Sequence, residues 1–250
     1  MFSDRYTSQA PSAQDTLDLF RGEWSSRVPI AFASTGYAAL FNDDRITWLI
    51  EQDQSYPDKV SLELGPLEAG HTYMLERAGY AVTAVEANNR AFLKCLIVKE
   101  LLGLKSRFLF GDFNEHLKTT DRVGLVVASG VLYHQRDPIR TLQLIAAKAE
   151  RLFLWTHYYA PFLCTGPQFH HAEIIVDEPF RHTLHHRSYD QALDWDGFCG
   201  GPGQAANWLS RSDLLSALDH TGFEVRATAF DHPAHQNGPC LTLYAVRKNR

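Results

Sequence analysis

Two kinds of polar side chain follow the short apolar segments of this chain, carboxylates and histidines. Glu86 ends the apolar run 82–85 and Asp112 comes soon after the run 108–110, whereas His134 and His157 follow two later runs. A carboxylate at the end of a strand can accept hydrogen bonds from ribose hydroxyl groups, and an imidazole exchanges a proton near neutral pH. These residue types therefore predict a nucleotide-like ligand site with acid–base groups beside it.

The segment 59–86 contains the elements that would position the first of these groups. Residues 60–64 form an apolar run suited to a buried parallel strand, Gly65 and Gly70 open a turn, and residues 71–78 have helical character that ends at Gly79. Residues 82–85 predict a second strand, so Glu86 lies 21 positions after Gly65. That spacing is typical of the acid that contacts a ribose in a parallel-sheet nucleotide fold.

The turn itself indicates which nucleotide is bound. Leu67 stands where a dinucleotide fingerprint would have its second glycine, so the backbone lacks the close approach that a pyrophosphate needs. Glu63 and Glu68 suit a cationic or zwitterionic ligand better than a diphosphate. S-adenosylmethionine (SAM) has that character, because it combines a sulfonium, an ammonium, a carboxylate and a ribose.

The sequence Glu63-Leu64-Gly65 resembles the first motif of the class I SAM-dependent methyltransferases, with Leu67 in place of the usual second glycine and the last glycine one place late at Gly70. The resemblance implies SAM as cofactor. It also implies that Asp112 bonds the adenine amino group and that Phe113 covers the ring. The full set of implied cofactor residues is Glu63, Gly65, Pro66, Leu67, Gly70, Glu86, Ala87, Asp112, Phe113, Ser129 and Gly130.

A second motif, ASGVLYHQRDP, follows the predicted fourth strand at residues 124–128. It is similar to the GVLYH element of the branch that contains the carboxymethyluridine tRNA methyltransferases and related small-molecule enzymes. The likeness spans roughly residues 58–157. Simpler interpretations remain open, since Glu86 could be a solvated acid at a strand end and Asp112 a helix N-cap.

The resemblance implies an α/β fold, a Rossmann-like seven-stranded methyltransferase sheet with helices on both faces, plus an N-terminal cap and a lid insertion after strand five. We expect the cap at residues 1–55, with a helix near residues 15–20 and the aromatics Trp24, Phe32, Tyr37, Phe41 and Trp48. The methyltransferase domain would cover residues 56–250, with the insertion at about 158–208. The insertion is rich in aromatics and histidines, Trp195 and Phe198 among them, and has a Gly200-Gly201-Pro202-Gly203 bend. We expect both segments to cover the site as a lid. The alternative is that they form an oligomer interface or a structural cap.

Methyl transfer from a sulfonium requires alignment of donor and acceptor, and a base only where the acceptor carries a proton of high pKa. His157, directly after strand five, and His134, in the loop after strand four, are the candidate bases. Tyr133 and Tyr158 are candidates to orient the acceptor. For each histidine, the alternative is a hydrogen-bonded supporting role.

The histidines of the insertion raise the question of a metal. His170 and His171 with Glu173 and Asp177, or His182 with His185 and His186, could supply ligands to a divalent cation. The spacing is not diagnostic, because adjacent histidines usually point apart, so no metal ligand is assigned.

Composition limits the partners. A net charge of −5 provides no general attraction for phosphate backbones, so a nucleic-acid substrate is disfavoured despite the tRNA-enzyme likeness. The four cysteines lack a paired spacing, and no apolar run approaches 18 residues, so we expect a soluble cytoplasmic protein with no membrane partner. An oligomer is compatible with the sequence.

We therefore expect a methyltransferase that acts on a small or medium-sized acceptor, at oxygen by preference. A nicotinamide-dependent oxidoreductase and a noncatalytic SAM-binding protein are the alternatives.

Overall fold

The computed structural model describes residues 6–30, 33, 35–177, 179–189 and 203–248, and the side chain of His170 is not described. Phe32, Trp195, Phe198 and the first three residues of the predicted bend, Gly200, Gly201 and Pro202, lie outside the described residues.

A seven-stranded sheet forms the centre of the molecule. Its strands are β1 Val60–Leu64, β2 Ala81–Glu86, β3 Arg107–Phe110, β4 Val123–Ser129, β5 Ala149–His157, β9 Phe223–His232 and β10 Cys240–Arg247. They lie in the order β3-β2-β1-β4-β5-β10-β9; β1 to β5 run parallel, and β10 pairs antiparallel with both β5 and β9. This sheet with its late antiparallel pair confirms the predicted fold class.

Helices cover both faces of the sheet because successive strand residues point to opposite sides. These helices are α2 Asp44–Gln52, α3 Gly70–Arg77, α4 Asn89–Leu102, α5 Phe113–Thr119, α6 Pro138–Lys148 and α7 Arg211–His220. In β4, Val126 and Ala128 belong to the cluster beneath α5, α6 and α7, whereas Leu125 and Val127 pack with α2 and α3 on the other face. Helix α5 was not predicted, because seven residues are too few to show a helical period.

The first part of the N-terminal segment packs against α4, and its last helix, α2, lies beside α3 on the face of the sheet. The segment contains α1 Ala13–Leu17 and a 3₁₀ turn Asp18–Phe20, close to the helix expected near residues 15–20, and a second 3₁₀ turn. Helix α2 Asp44–Gln52 was not predicted. The carboxylate of Glu68 accepts hydrogen bonds from the backbone N–H groups of Ser25 (3.0 Å) and Ser26 (2.8 Å), and it pairs with Lys94 at 2.9 Å. Glu68 is completely buried, so it holds this segment in place and is turned away from any ligand in the loop.

The insertion forms a separate three-stranded antiparallel sheet, β6-β7-β8, that was not predicted as strands. Its strands are β6 Phe169–Asp177, β7 Phe180–Ser188 and β8 Ala205–Trp208. The N–H of Asn207 donates to Gln135 O (2.9 Å) and its side-chain amide donates to Arg136 O (2.6 Å), so β8 is attached to the loop after β4. Within the described part of the chain, no helix combines the length and apolar character needed to cross a membrane.

Candidate functional site

A cavity of about 390 Å³ opens at the carboxyl ends of β1, β2 and β4. In open α/β sheets, ligands bind at this edge, where loops after several strands converge. Most of the predicted site residues line it, namely Gly65, Pro66, Leu67, Gly70, Glu86, Ala87, Phe113, Ser129, Gly130, Tyr133 and His134. Glu63, Asp112, His157 and Tyr158 are not among the lining residues.

Glu86 ends β2 and is buried at the wall of this cavity. One carboxylate oxygen accepts a hydrogen bond from Leu67 N–H (3.1 Å) and the other accepts one from Asn88 N–H (2.8 Å). Burial raises the pKa of Glu86, while these backbone donors act in the opposite direction. Each oxygen keeps a further lone pair, so the group can accept a pair of ligand hydroxyls.

The turn after β1 takes left-handed backbone conformations without a full set of glycines. Leu67 has φ +54° and Ala69 has φ +63°, conformations that cost a non-glycine residue on the order of 1 kcal/mol or more. A Cβ on Gly65 would lie 2.7 Å from Val131 Cγ1, and one on Gly70 would lie 2.7 Å from the backbone of Leu40. Glycine is therefore required at positions 65 and 70, whereas Leu67 takes a left-handed conformation with its side chain present, and its N–H donates to Glu86.

Two cationic or imidazole side chains that the sequence analysis missed also line the cavity, Arg45 and His71. Asp43 caps α2 by accepting from Arg45 N–H (2.9 Å), accepts a second bond from Arg45 Nε (2.9 Å), and lies 2.9 Å from His71 Nε2. Burial acts to raise the pKa of Asp43, but the bonds from His71 and Arg45 outweigh it and hold that pKa well below its usual range. The guanidinium of Arg45 lies 4.3 Å over the Trp155 ring.

The signal for this group was present in the sequence as an Asp at the start of a short amphipathic helix. The approach of α2 to the first turn of α3 depends on tertiary packing, since Asp43 and His71 are 28 positions apart.

The loop after β4 brings Tyr133 and His134 to the cavity through a 3₁₀ turn, Leu132–His134. His134 is buried, and its Nδ1 is hydrogen-bonded to the hydroxyl of Tyr189 from the insertion. Burial lowers the pKa of His134 to about 3, and the charges of Arg187 and His157 add to the effect. A neutral imidazole is therefore the form present at neutral pH.

His157 lies behind the ring of Tyr133, with 4.6 Å between the ring centres. Its Nδ1 lies 2.8 Å from Gly238 O and 3.2 Å from Pro239 O, so Nδ1 carries the proton and Nε2 has the lone pair. Burial lowers the pKa of His157 to about 4, against the opposing effect of these carbonyls. The structure thus separates His157 from the cavity by the ring of Tyr133, and its role as a base stays a prediction.

Three further predicted residues have structural partners outside the cavity. The hydroxyl of Tyr158 donates to Asp231 (3.2 Å), and Thr72 donates to the fully buried Glu63, whose pKa is raised by burial. Asp112 is exposed and caps α5 by accepting from Asn114 N–H at 2.7 Å, which is the alternative considered from the sequence. Phe113, the next residue, does line the cavity. The ligand contacts of Glu63, Asp112 and Tyr158 stay predictions.

No protein-family model and no curated protein sequence matches this chain. Among solved structures, the N-terminal domain of EvdMO1, crystallised in the presence of S-adenosylhomocysteine (SAH) and D-fucose, has a TM-score of 0.70 and 20% identity, with 94% of this chain and 95% of that chain covered. Against the longer EvdMO1 structure, the chain spans 46% of the length.

Other methyltransferase structures also have TM-scores above 0.5. Magnesium protoporphyrin IX methyltransferase from Synechocystis PCC 6803 with bound SAH has a TM-score of 0.57 and 15% identity, with 97% of this chain and 90% of that chain covered. The 1,6-didemethyltoxoflavin-N1-methyltransferase from Burkholderia thailandensis has a TM-score of 0.54 and 14% identity, with 84% of this chain and 79% of that chain covered. At these identities the likeness shows the fold, which is that of the class I SAM-dependent methyltransferases.

Proposed function

We propose that this protein is a SAM-dependent methyltransferase that binds SAM in the cavity at the carboxyl ends of β1, β2 and β4. The observation that carries the proposal is Glu86, a buried carboxylate held by two backbone donors at the wall of a cavity, in a fold whose neighbours were crystallised with SAH or SAM. The cavity volume of about 390 Å³ is within the range of small-molecule sites.

The residues present fit the groups of the cofactor. Glu86 would accept the ribose hydroxyls, and Phe113 would cover the adenine, with Asp112 beside it. Arg45 and His71, which also line the cavity, would bind the methionine carboxylate, because a guanidinium is a strong partner for a carboxylate. When bound, the cofactor supplies a methyl group on a sulfonium, which is open to displacement by a nucleophile.

The chain's own contribution to the reaction would be alignment, exclusion of water and acceptance of a proton. Tyr133 and His134 line the cavity, so they are the residues we place beside the acceptor. The neutral imidazole of His134 is able to accept a proton. His157 would act indirectly, through its contact with the ring of Tyr133, which separates it from the cavity.

For the acceptor we propose a small hydroxylated molecule that is methylated at oxygen. The molecules crystallised with two neighbours, D-fucose with EvdMO1 and 1,6-didemethyltoxoflavin with the toxoflavin enzyme, are both small. The GVLYH element supports a place in the branch of the carboxymethyluridine enzymes, while the net charge of −5 argues against a tRNA acceptor.

We also propose that the N-terminal segment, residues 1–55, acts as a cap on this site. Leu40 and Arg45 from it line the cavity, whereas the described residues of the insertion contact the loop after β4 from behind. The insertion would therefore support His134.

Calorimetry of the purified protein with SAM, SAH and NADH tests the function. Binding of SAM and SAH without binding of NADH is expected, and the reverse result would favour an oxidoreductase. Screening of sugars, aromatic alcohols and carboxylates for SAH release then identifies the acceptor. Tight SAM binding with no turnover on any acceptor class would favour the noncatalytic alternative.

A further inference from the structure

Three potential metal ligands converge beside the cavity, behind Tyr133 and Trp155. They are His157 at the end of β5, His235 in the turn between β9 and β10, and Cys240 at the start of β10. One candidate ligand atom from each lies within 4.8 Å of the other two. His157 and Cys240 are direct partners across the β5–β10 pair, so their approach follows from the sheet register.

His157 has the hydrogen bonding that a metal-ligating histidine usually has. Such a histidine donates its second ring N–H to a carbonyl or carboxylate, which fixes the tautomer and leaves the other nitrogen for the ion. Here Nδ1 donates to Gly238 O at 2.8 Å, and Nε2 keeps its lone pair. The ring also stacks on Trp208, with 5.2 Å between ring centres and an interplanar angle of 6°. The imidazole is therefore held before any ion binds.

Cys240 supplies a soft ligand in the same place. Its thiol is buried and free, and burial raises its pKa, so without an ion it stays protonated. The Trp155 indole N–H is hydrogen-bonded to this sulfur, which links the cluster to a residue of the cavity wall. A bound transition-metal ion displaces the proton of a cysteine ligand, because the thiolate is the coordinating form.

His235 is the adaptable member of the group. It is half-buried on an exposed turn, its ring centre lies 5.3 Å from that of His157, and its Nδ1 accepts a 3.2 Å hydrogen bond from Asn237 N–H. Neighbouring ligand atoms of a tetrahedral zinc site are on the order of 3.5 Å apart, given bond lengths of about 2.0 to 2.3 Å. Closing the cluster therefore requires a movement of about 1 Å, which the turn can make by exchanging that hydrogen bond for a metal bond.

We propose that His157, His235 and Cys240 form a binding site for Zn²⁺ beside the cavity. Two imidazoles and a thiolate select a borderline-soft transition ion over Mg²⁺ or Ca²⁺, which prefer oxygen ligands. Three protein ligands leave a fourth tetrahedral position for water or an acceptor atom.

One cationic group, Arg45, acts on both His235 and Cys240 and opposes a second cation. The carboxylate of Asp43, which accepts hydrogen bonds from Arg45 Nε, offsets part of that charge.

In the loaded form Nε2 of His157 binds the ion, so this nitrogen cannot also accept a proton from the acceptor. The base of the proposed reaction is then His134.

The test measures metal binding alone and needs neither SAM nor an acceptor. Protein purified without an affinity tag is analysed for zinc, then stripped with chelator and titrated with Co²⁺. We expect about one zinc per chain, and a cobalt spectrum with a thiolate-to-metal charge-transfer band. Cys240→Ser should lose that band and bind at least tenfold more weakly, and His235→Ala should also bind at least tenfold more weakly.

Two control variants test whether metal binding depends specifically on the three proposed ligands. His232→Ala removes an exposed histidine at the end of β9, and Cys164→Ser removes a buried thiol elsewhere, so both should bind Co²⁺ like the wild type. Circular dichroism establishes that each variant is folded. A wild-type protein that binds neither ion stoichiometrically would overturn the proposal, and so would a folded Cys240→Ser with unchanged affinity and band. Either result leaves SAM binding by the same protein to be judged separately.

Discussion

At the scale of single residues, the carboxylate of Glu86 both accepts backbone hydrogen bonds and lies in the cavity wall. Its oxygens hold the backbone of Leu67 in the turn after β1 and of Asn88 at the start of α4. The same oxygens face the cavity with lone pairs to spare. A solvated acid at a strand end, the alternative from the sequence, would be exposed, whereas Glu86 has only 6% of its surface accessible.

We expect Glu86→Ala to weaken SAH binding by about 10- to 100-fold, because hydrogen bonds to a charged group contribute about 1.5 to 3 kcal/mol. It should also lower the unfolding temperature, since two backbone donors lose their acceptor. Glu115→Ala, which removes an exposed carboxylate paired with Lys118, is the matched control and should change neither quantity. Calorimetry and thermal unfolding measure both effects. Unchanged SAH affinity in a folded Glu86→Ala protein would contradict the ribose assignment.

At the scale of elements, the insertion sheet supports the loop after β4 from outside the cavity. Asn207 of β8 bonds two carbonyl groups of that loop, and the hydroxyl of Tyr189 contacts both His134 Nδ1 and the carbonyl of Tyr133 (3.3 Å). These bonds set the orientation of the imidazole. In the proposed reaction Tyr189 would be a positioning residue, because it would act on the acceptor only through His134.

Tyr189→Phe should lower turnover about tenfold while leaving the SAH dissociation constant within about twofold. The phenyl ring keeps the packing, but His134 loses the partner that orients it. SAH release measured across pH should show the acid limb of the rate profile displaced, an effect that a merely structural role would not produce. Tyr37→Phe, at a tyrosine that is 89% exposed, serves as control. Wild-type turnover in Tyr189→Phe would show that this contact has no part in catalysis.

At the scale of the whole molecule, the buried carboxylate of Asp53 links several strands at the end of the sheet opposite the cavity. It accepts hydrogen bonds from Tyr80 (2.7 Å), Tyr244 (2.6 Å) and Arg151 Nε (2.6 Å). Burial and the neighbouring carboxylate raise the pKa of both tyrosines, which keeps them as protonated donors. One residue after α2 thereby ties β5, β10 and the start of β2 together.

We expect Asp53→Asn to lower the free energy of unfolding by about 3 to 5 kcal/mol, because it leaves the buried guanidinium of Arg151 without its anion. Asp44→Asn removes an exposed carboxylate of α2 and should change stability by less than about 0.5 kcal/mol. Urea unfolding followed by circular dichroism compares the two. A loss below about 1 kcal/mol for Asp53→Asn would show that the network adds little to the fold.

Because of two buried histidines, the protein should lose stability on acidification at pH values above those at which carboxylates titrate. The pKa values of His134 and His157 are lowered to about 3 and 4, so in the folded state they bind fewer protons than an unfolded histidine with a pKa near 6.5. Stability is then lost as pH falls below about 6.5, by about 2 kcal/mol per histidine between pH 7.5 and 5.

The raised pKa values of Glu63 and Glu86 act in the opposite direction over the acid part of that range. The informative quantity is therefore the difference between the wild type and His134→Gln, measured by urea unfolding in the presence of chelator. The loss of stability on acidification should be about 2 kcal/mol smaller in His134→Gln. Equal losses in the two proteins would contradict a neutral, buried His134.

The sequence alone determined the strands that carry the site, because apolar runs, glycines and the acids after them are local features that survive in the fold. The predicted β1 matches the observed bounds, and Glu86 and Phe113 reach the cavity. Tertiary structure decided which polar groups meet, since those contacts join residues far apart in the chain. Asp53 and Tyr244, which share a hydrogen bond, are 191 positions apart. His157 was assigned to the cavity from its place after β5, yet the ring of Tyr133 lies between His157 and the cavity. A strand end specifies the edge of the sheet at which a side chain emerges, whereas its neighbours there are set by the register of other strands and by the paths of the loops.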